Sequence, residues 1–320
     1  MTSIEWTRGD DGTAGSVWNP TTGCDRVSPG CDHCYAMTMA KRLKGMGQAK
    51  YQRDGDPRTS GPGFGLTIHP DALNLPLHWR KPRRVFVNSM SDLFHEAVPD
   101  EYLCRVFDVM QTASRHTFQV LTKRHARMRS FVTRYLSGEF ATEPLDASPL
   151  AATVDQPPRN IWLGVSCEDQ KWADIRVPAL LDTPASIRFV SAEPLLGPVS
   201  LDRYLWLHGP STAGPFYDYA GRRRGGGGIG GQALTAVRAR DLHWVIAGGE
   251  SGRGARPCEV DWLRSLRDEC ADADVPFFCK QLGSILGREL GAGSKGGDIS
   301  RWPSDLRVRE FPTVHEGVPA

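Results

Sequence analysis

No run of apolar residues in this 320-residue chain approaches the ~18 needed to cross a bilayer. Its opening, MTSIEWTRGDDG, lacks the apolar core of a secretory leader. A cytoplasmic protein with no membrane partner is therefore expected. Net charge is also scarce: 39 Lys and Arg against 37 Asp and Glu leave +2, too little to imply a nucleic-acid partner by itself. There is no nucleophile elbow, phosphate loop or dinucleotide fingerprint. That removes the commonest hydrolase, nucleotidase and dehydrogenase sites. Eight cysteines in a reducing compartment do not make a disulfide framework. What remains is an ordinary globular composition, 40% hydrophobic and 24% charged, enough for one barrel-sized domain or two smaller ones.

Short apolar, β-branched runs recur along the chain: Val85–Asn88, Phe118–Leu121, Ile161–Val165, Ile187–Val190, Trp244–Ala247 and Pro276–Cys279. Near-continuous hydrophobic strands of this length suit a parallel sheet covered on both faces. Val17–Asn19 is a further strand candidate, weakened by Pro20. Helical spacing appears between the runs, over Cys34–Leu43, Glu101–Ala113, Ala126–Leu136, Trp172–Leu181 and Trp262–Ala271, with Asp100 and Asp261 as candidate caps. Strand–helix alternation of this kind predicts an α/β fold, here a parallel (β/α) barrel or partial barrel spanning residues 1–284. Residues 137–158, rich in Ala, Pro and Ser, and the glycine-rich stretch 209–231 interrupt the pattern. The second, with Arg222–Arg224, reads as a flexible, solvated insertion. Residues 285–320 form a C-terminal extension, with Trp302 and Phe311 as candidates to dock back onto the body.

Polar residues follow each strand. Asn88, Ser89, Ser91 and Asp92 follow one, and Lys123 with Arg124 the next. Ser166 and Glu168 close the third, Glu193 the fourth, Glu250 the fifth and Lys280 the sixth. Ligands of parallel α/β folds bind beyond the carboxyl ends of the strands, so these residues are expected to share one functional face. Helix capping explains any one of them but not a carboxylate at four strand ends with a lysine at two others. Glu193, Glu250 and Lys280 are the candidates to face a substrate; the competing role is a salt bridge among them.

Three cysteines, Cys24, Cys31 and Cys34, fall within eleven residues, and Pro29–Gly30 allows the turn that brings the first round to the others. The other five, Cys104, Cys167, Cys258, Cys270 and Cys279, are scattered in apolar surroundings and read as small buried hydrophobes. Structural zinc sites close with four ligands. Three thiolates on an iron–sulfur cube instead leave one iron open to a small molecule.

A three-cysteine loop after the first strand, with Tyr35 just beyond it, resembles the radical S-adenosylmethionine superfamily. The resemblance implies a [4Fe–4S] cluster on Cys24, Cys31 and Cys34, S-adenosylmethionine on the open iron, and a reductant protein as electron donor. By position, Tyr35 would lie near the adenine, and Asn88, Ser89, Ser91 and Asp92 near the methionyl end. Lys123 would offset a carboxylate, and Ser166 and Glu168 would reach the ribose. Six residues separate the first two cysteines where three are usual, and NSMSD stands where a glycine-rich turn is usual. More closely, the segments WNPTTGCDRVSPGCDHCYA, VFVNSMSDLF, FQVLTKR, NIWLGVSCED, RFVSAEPLLGP, WVIAGGESG and PFFCKQLG resemble an uncharacterised bacterial and phage-associated family named for its three-cysteine motif. That likeness makes a nucleic acid or nucleotide conceivable as substrate and implies no particular reaction. Two alternatives stand beside it. One is a zinc-binding, nucleic-acid-associated module whose fourth ligand would come from His69 or His95. The other is a barrel lyase or hydrolase using Glu168, Glu193 and Glu250 as acid and base.

Overall fold

The computed structural model describes residues 4–9, 12–140, 157–205, 216–217, 223–224 and 242–313. Most of the interrupting stretch 137–158 and of the insertion 209–231 lies outside them. The exception is an antiparallel pair, Phe216–Tyr217 with Arg223–Arg224.

The strands of the main body are β1 (Ser16–Trp18), β4 (Arg84–Val87), β5 (Thr117–Thr122), β6 (Ile161–Ser166), β7 (Ile187–Ala192), β8 (Trp244–Gly248) and β9 (Phe277–Gln281). All pair in parallel and lie side by side in chain order, and the sheet curls into a half-barrel. Two further strands, β2 (Thr21–Thr22) and β3 (Thr67–Ile68), form a separate antiparallel pair. The helices are α1 (Tyr35–Gly45), α2 (Pro70–Leu73), α3 (Asp100–Thr112), α4 (His125–Leu136), α5 (Gln170–Leu181), α6 (Asp202–Leu205), α7 (Val260–Asp272) and α8 (Ser284–Glu289). Asp100 and Asp261 sit inside the first turns of α3 and α7, further in than an N-cap, where a carboxylate complements the helix dipole.

Period-two alternation divides the strand residues between two cores. Val85, Val87, Leu163, Val190 and Val245 join the larger core beneath the helices. Their neighbours Phe86, Trp162, Phe189, Trp244 and Ile246 fill the concave face, together with Phe278. Trp6 plugs that face from the N-terminal segment, its ring centroid 4.7 Å from Phe86 and 6.2 Å from Trp244. Most of these aromatics lie in the first half of their strands, so the carboxyl ends remain for polar groups. Residues 308–310 cover the outer edge of β9: Cys279 N donates to the Val308 carbonyl and Glu310 N to that of Phe277, both at 2.9 Å. Trp302 is buried in the larger core and Phe311 packs 5.5 Å from Trp244, so this part of the extension belongs to the body.

Candidate functional site at the carboxyl ends of the strands

The segment that carries the cysteines is tied first to the end of β4. Asn19, just past β1, accepts from the backbone amides of Ser89 (2.8 Å) and Met90 (3.1 Å) through Oδ1. Asn88 Nδ2 donates to Thr21 Oγ1 (2.7 Å), which in turn donates to Ser91 Oγ (2.9 Å). Ser91 Oγ donates to the Gly23 carbonyl at 2.7 Å. Gly23 has φ +87° and passes so close to Gly65 that a Cβ would lie 2.4 Å from its carbonyl oxygen, so the approach into Cys24 requires glycine. The NSMSD turn thus positions the loop. Asn88 Oδ1 is buried and has no hydrogen-bond partner among the described residues.

Two carboxylates then hold the loop between Cys24 and Cys34. Glu168, beyond β6, is fully buried; its Oε1 accepts from Gly30 N (3.2 Å) and its Oε2 pairs with Arg176 Nη1 of α5 (2.8 Å). Burial raises its pKa, but the Arg176 guanidinium and the hydrogen bonds to the loop outweigh this and hold the carboxyl below its usual range. Glu250, beyond β8, accepts from Arg256 through both oxygens, at 2.7 Å from Nη2 and 3.0 Å from Nε. His33 Nδ1 lies 3.1 Å from Glu250 Oε2, and Arg256 also reaches the Pro29 carbonyl (2.9 Å) and Asp32 Oδ2 (3.3 Å). Both carboxylates therefore turn toward the loop, Glu168 0% and Glu250 6% exposed. Arg176 and Arg256, which complete the two clamps, carry no sequence signal: one lies in a helix and the other in a loop six residues past its partner.

The thiols share one neighbourhood. Cys24 and Cys34 pack around the same small core of Ala36, Ala40, Phe64 and Met90. Burial pushes the Cys24 thiol up to about 12, reinforced by Asp92 and the nearby Cys31 and opposed by Arg124. Cys24 would thus enter a metal centre by releasing a proton. Among the described residues, no three His, Cys, Asp or Glu side chains form a ready-made site for a single metal ion. Zn–S bonds of about 2.3 Å would require thiolates within about 4 Å of one another. The histidines proposed as fourth ligands are engaged elsewhere: His69 Nε2 with Thr22 Oγ1 (2.8 Å) and His95 Nε2 with Asp25 Oδ2 (2.9 Å).

The remaining candidates line the rim beside the loop. Lys123 Nζ donates to Ser166 Oγ (2.8 Å), and Ser166 Oγ to the Glu193 carbonyl (2.9 Å). Lys280 Nζ pairs with Glu193 Oε2 at 3.0 Å, so the salt bridge anticipated among the substrate-facing candidates forms between these two, without Glu250. Burial raises the Glu193 pKa and Lys280 opposes the shift. Asp92 is committed to structure, accepting from Thr122 Oγ1 (2.7 Å), Lys123 N (2.9 Å) and Phe94 N (3.1 Å). Tyr35 opens α1 with an exposed ring, its hydroxyl donating to the Ser89 carbonyl at 2.6 Å.

A family model described as "Protein of unknown function (DUF5131)" matches residues 1–300, and the chain belongs to that family. No curated protein and no solved structure matches it.

Proposed function

We propose that this member of the DUF5131 family is an iron–sulfur enzyme: Cys24, Cys31 and Cys34 hold a [4Fe–4S] cluster that acts with S-adenosylmethionine on a substrate at the strand-end rim. The observation that carries the reading is the clamping of the cysteine loop. Strand ends β6 and β8 each contribute a carboxylate–arginine pair to it, while Cys31 and Cys34 make no side-chain hydrogen bond among the described residues. A loop held this firmly, with two of its three thiols uncommitted, suits a resident cofactor better than a passive turn. The cluster, when bound, would supply one electron for cleavage of S-adenosylmethionine.

The chain's own groups would bind and orient the cofactor. Asn88 Oδ1, buried and unpartnered, is an acceptor for an amino group. Lys123, steadied by Ser166, offers a cation to a carboxylate. The exposed Tyr35 ring offers a face for a purine. Glu193 and Lys280 would meet the substrate as a hydrogen-bonded pair able to hold or pass a proton.

Anaerobic reconstitution with iron and sulfide tests the reading. The expected product is a brown protein with about four irons per chain, lost in Cys31→Ala and retained in Cys270→Ala, a buried residue of α7. Stoichiometric zinc with no iron, or equal iron in both variants, refutes it. Dithionite with S-adenosylmethionine should then yield 5′-deoxyadenosine.

A further inference from the structure

We propose that the substrate is a single-stranded nucleic acid, bound by the face that α1 and the segment after it present beside the cysteine loop. The inference deepens the functional reading above and rests on it for chemistry, while the binding itself can be measured without it.

The first observation is electrostatic. Residues 24–69 contain seven Lys and Arg and four Asp. Two of those aspartates form ion pairs within the stretch, Asp54 with Lys44 (2.5 Å) and Asp56 with Arg58 (2.9 Å), while Asp25 is hydrogen-bonded to His95 (2.9 Å) and Asp32 to Arg256 (3.3 Å), which also serves Glu250. Arg26, Lys41, Arg42, Lys50 and Arg53 are left exposed, and none has a side-chain partner among the described residues. A chain whose overall charge is only +2 thus carries, in the stretch that holds the cysteine loop, seven cations against four aspartates, five of those cations exposed and without a side-chain partner among the described residues.

The second observation is apolar. Seven large hydrophobic side chains are exposed among the described residues, and four of them, Tyr35, Met39, Met46 and Ile68, fall in this same stretch. Helical spacing puts Tyr35, Thr38, Met39 and Arg42 on one side of α1, while Ala36 and Ala40 face the core. The stripe begins at the residue after Cys34 and runs away from the site. A flat ring and a thioether flanked by unpaired cations match a strand that alternates bases and phosphates. Thr38 and Arg42 interrupt the stripe, leaving it too narrow and polar to sink into a bilayer. A duplex keeps its bases stacked inside, whereas a single strand can pass one over the rim to Glu193 and Lys280.

Fluorescence anisotropy of the full chain with labelled single strands of about 20 nucleotides, DNA and RNA, over about 50 to 200 mM salt tests the inference. If all five cations meet phosphates, log K against log salt should slope near about −3.5, at about −0.7 each. The triple variant Lys41→Ala, Arg42→Ala, Lys50→Ala should lower that slope by about 2 and weaken binding at least ~10-fold at low salt. Its iron content and unfolding midpoint should not change, because all three side chains are exposed and unpaired. A triple variant that binds as tightly as the parent overturns the proposal, as does flotation with phosphatidylserine vesicles without strand binding. A strand that binds yet leaves 5′-deoxyadenosine formation unaltered overturns its assignment as substrate. Iron incorporation separates the two readings: binding without iron refutes the cluster alone, and iron without binding refutes the surface alone.

Discussion

Separating Glu168 from Arg176 is the most direct attack on the clamp under the cysteine loop. Both side chains are fully buried, 2.8 Å apart, and Arg176 Nη1 also donates to the Ser166 carbonyl at 2.6 Å while its guanidinium stacks 4.1 Å from Trp172. Glu168→Gln keeps an acceptor for Gly30 N but leaves a buried cation without its counter-ion. Arg176→Met leaves the buried carboxylate without its cation, held only by its contacts to the loop. Breaking a buried pair from one side costs about 3–5 kcal/mol, most of it the desolvation of the charge left behind. Removing both charges together avoids that penalty, so the double variant should lose less stability than either single one. Urea unfolding followed by tryptophan fluorescence measures the three losses. The rate at which a thiol reagent modifies Cys31 and Cys34 in metal-free protein reports on the loop, and it should rise in both single variants. Single losses below about 1 kcal/mol, or losses that simply add in the double, would show that the pair does not hold the loop.

Other consequences are simpler to state. Gly30→Ala places a methyl 3.0 Å from the Glu168 carboxyl carbon, against a neighbour fixed by Arg176, and should cost about 1–3 kcal/mol in urea unfolding; an unchanged midpoint would mean the loop is not seated there. Trp6→Ala empties the plug of the concave face and should cost about 3–5 kcal/mol, read by the same titration, while iron incorporation into folded protein persists. Arg127, then Arg134, hydrogen-bond Asp100 and hold its carboxyl below the usual range despite partial burial. Their stabilisation is therefore present above the unfolded value of about 3.9 and fades as pH falls through the lower folded value. Asp100→Asn should accordingly cost about 1 kcal/mol at neutral pH and progressively less as pH falls below about 3.9; a loss that does not shrink in acid would refute the ion-pair account.

The alternation of elements was legible because it is local. Each of the six apolar runs became a strand, β4 to β9, with ends shifted by no more than two residues, since a strand covered on both faces needs unbroken apolar sequence: Ile161–Ser166 and Ile187–Ala192 are buried throughout. The gathering of polar residues at the strand ends followed from the same parallel order. Asp100 and Asp261 were harder, because a carboxylate suits both a cap and a first turn, and backbone geometry alone chooses between them.

The roles of the carboxylates were not legible. Ser-x-Glu closes β6 and β7 alike, yet Glu168 turns under the loop to Arg176 and Glu193 turns to Lys280. Glu250, grouped with Glu193 by sequence, belongs to the loop through His33 and Arg256. Identical residue types at equivalent positions diverge because each carboxylate goes to whichever cation folding brings nearest.

By itself, then, the order of residues determined the kind of sheet, the edge at which chemistry-bearing groups collect, and the three thiols worth watching, all through patterns spanning a few positions. Only the folded chain decided which acids grip the loop and which face the rim, and that five exposed cations in that stretch have no side-chain partner among the described residues. Such pairings join residues up to 227 positions apart, as Arg256 meets Pro29, and contacts of that range depend on the path of the backbone.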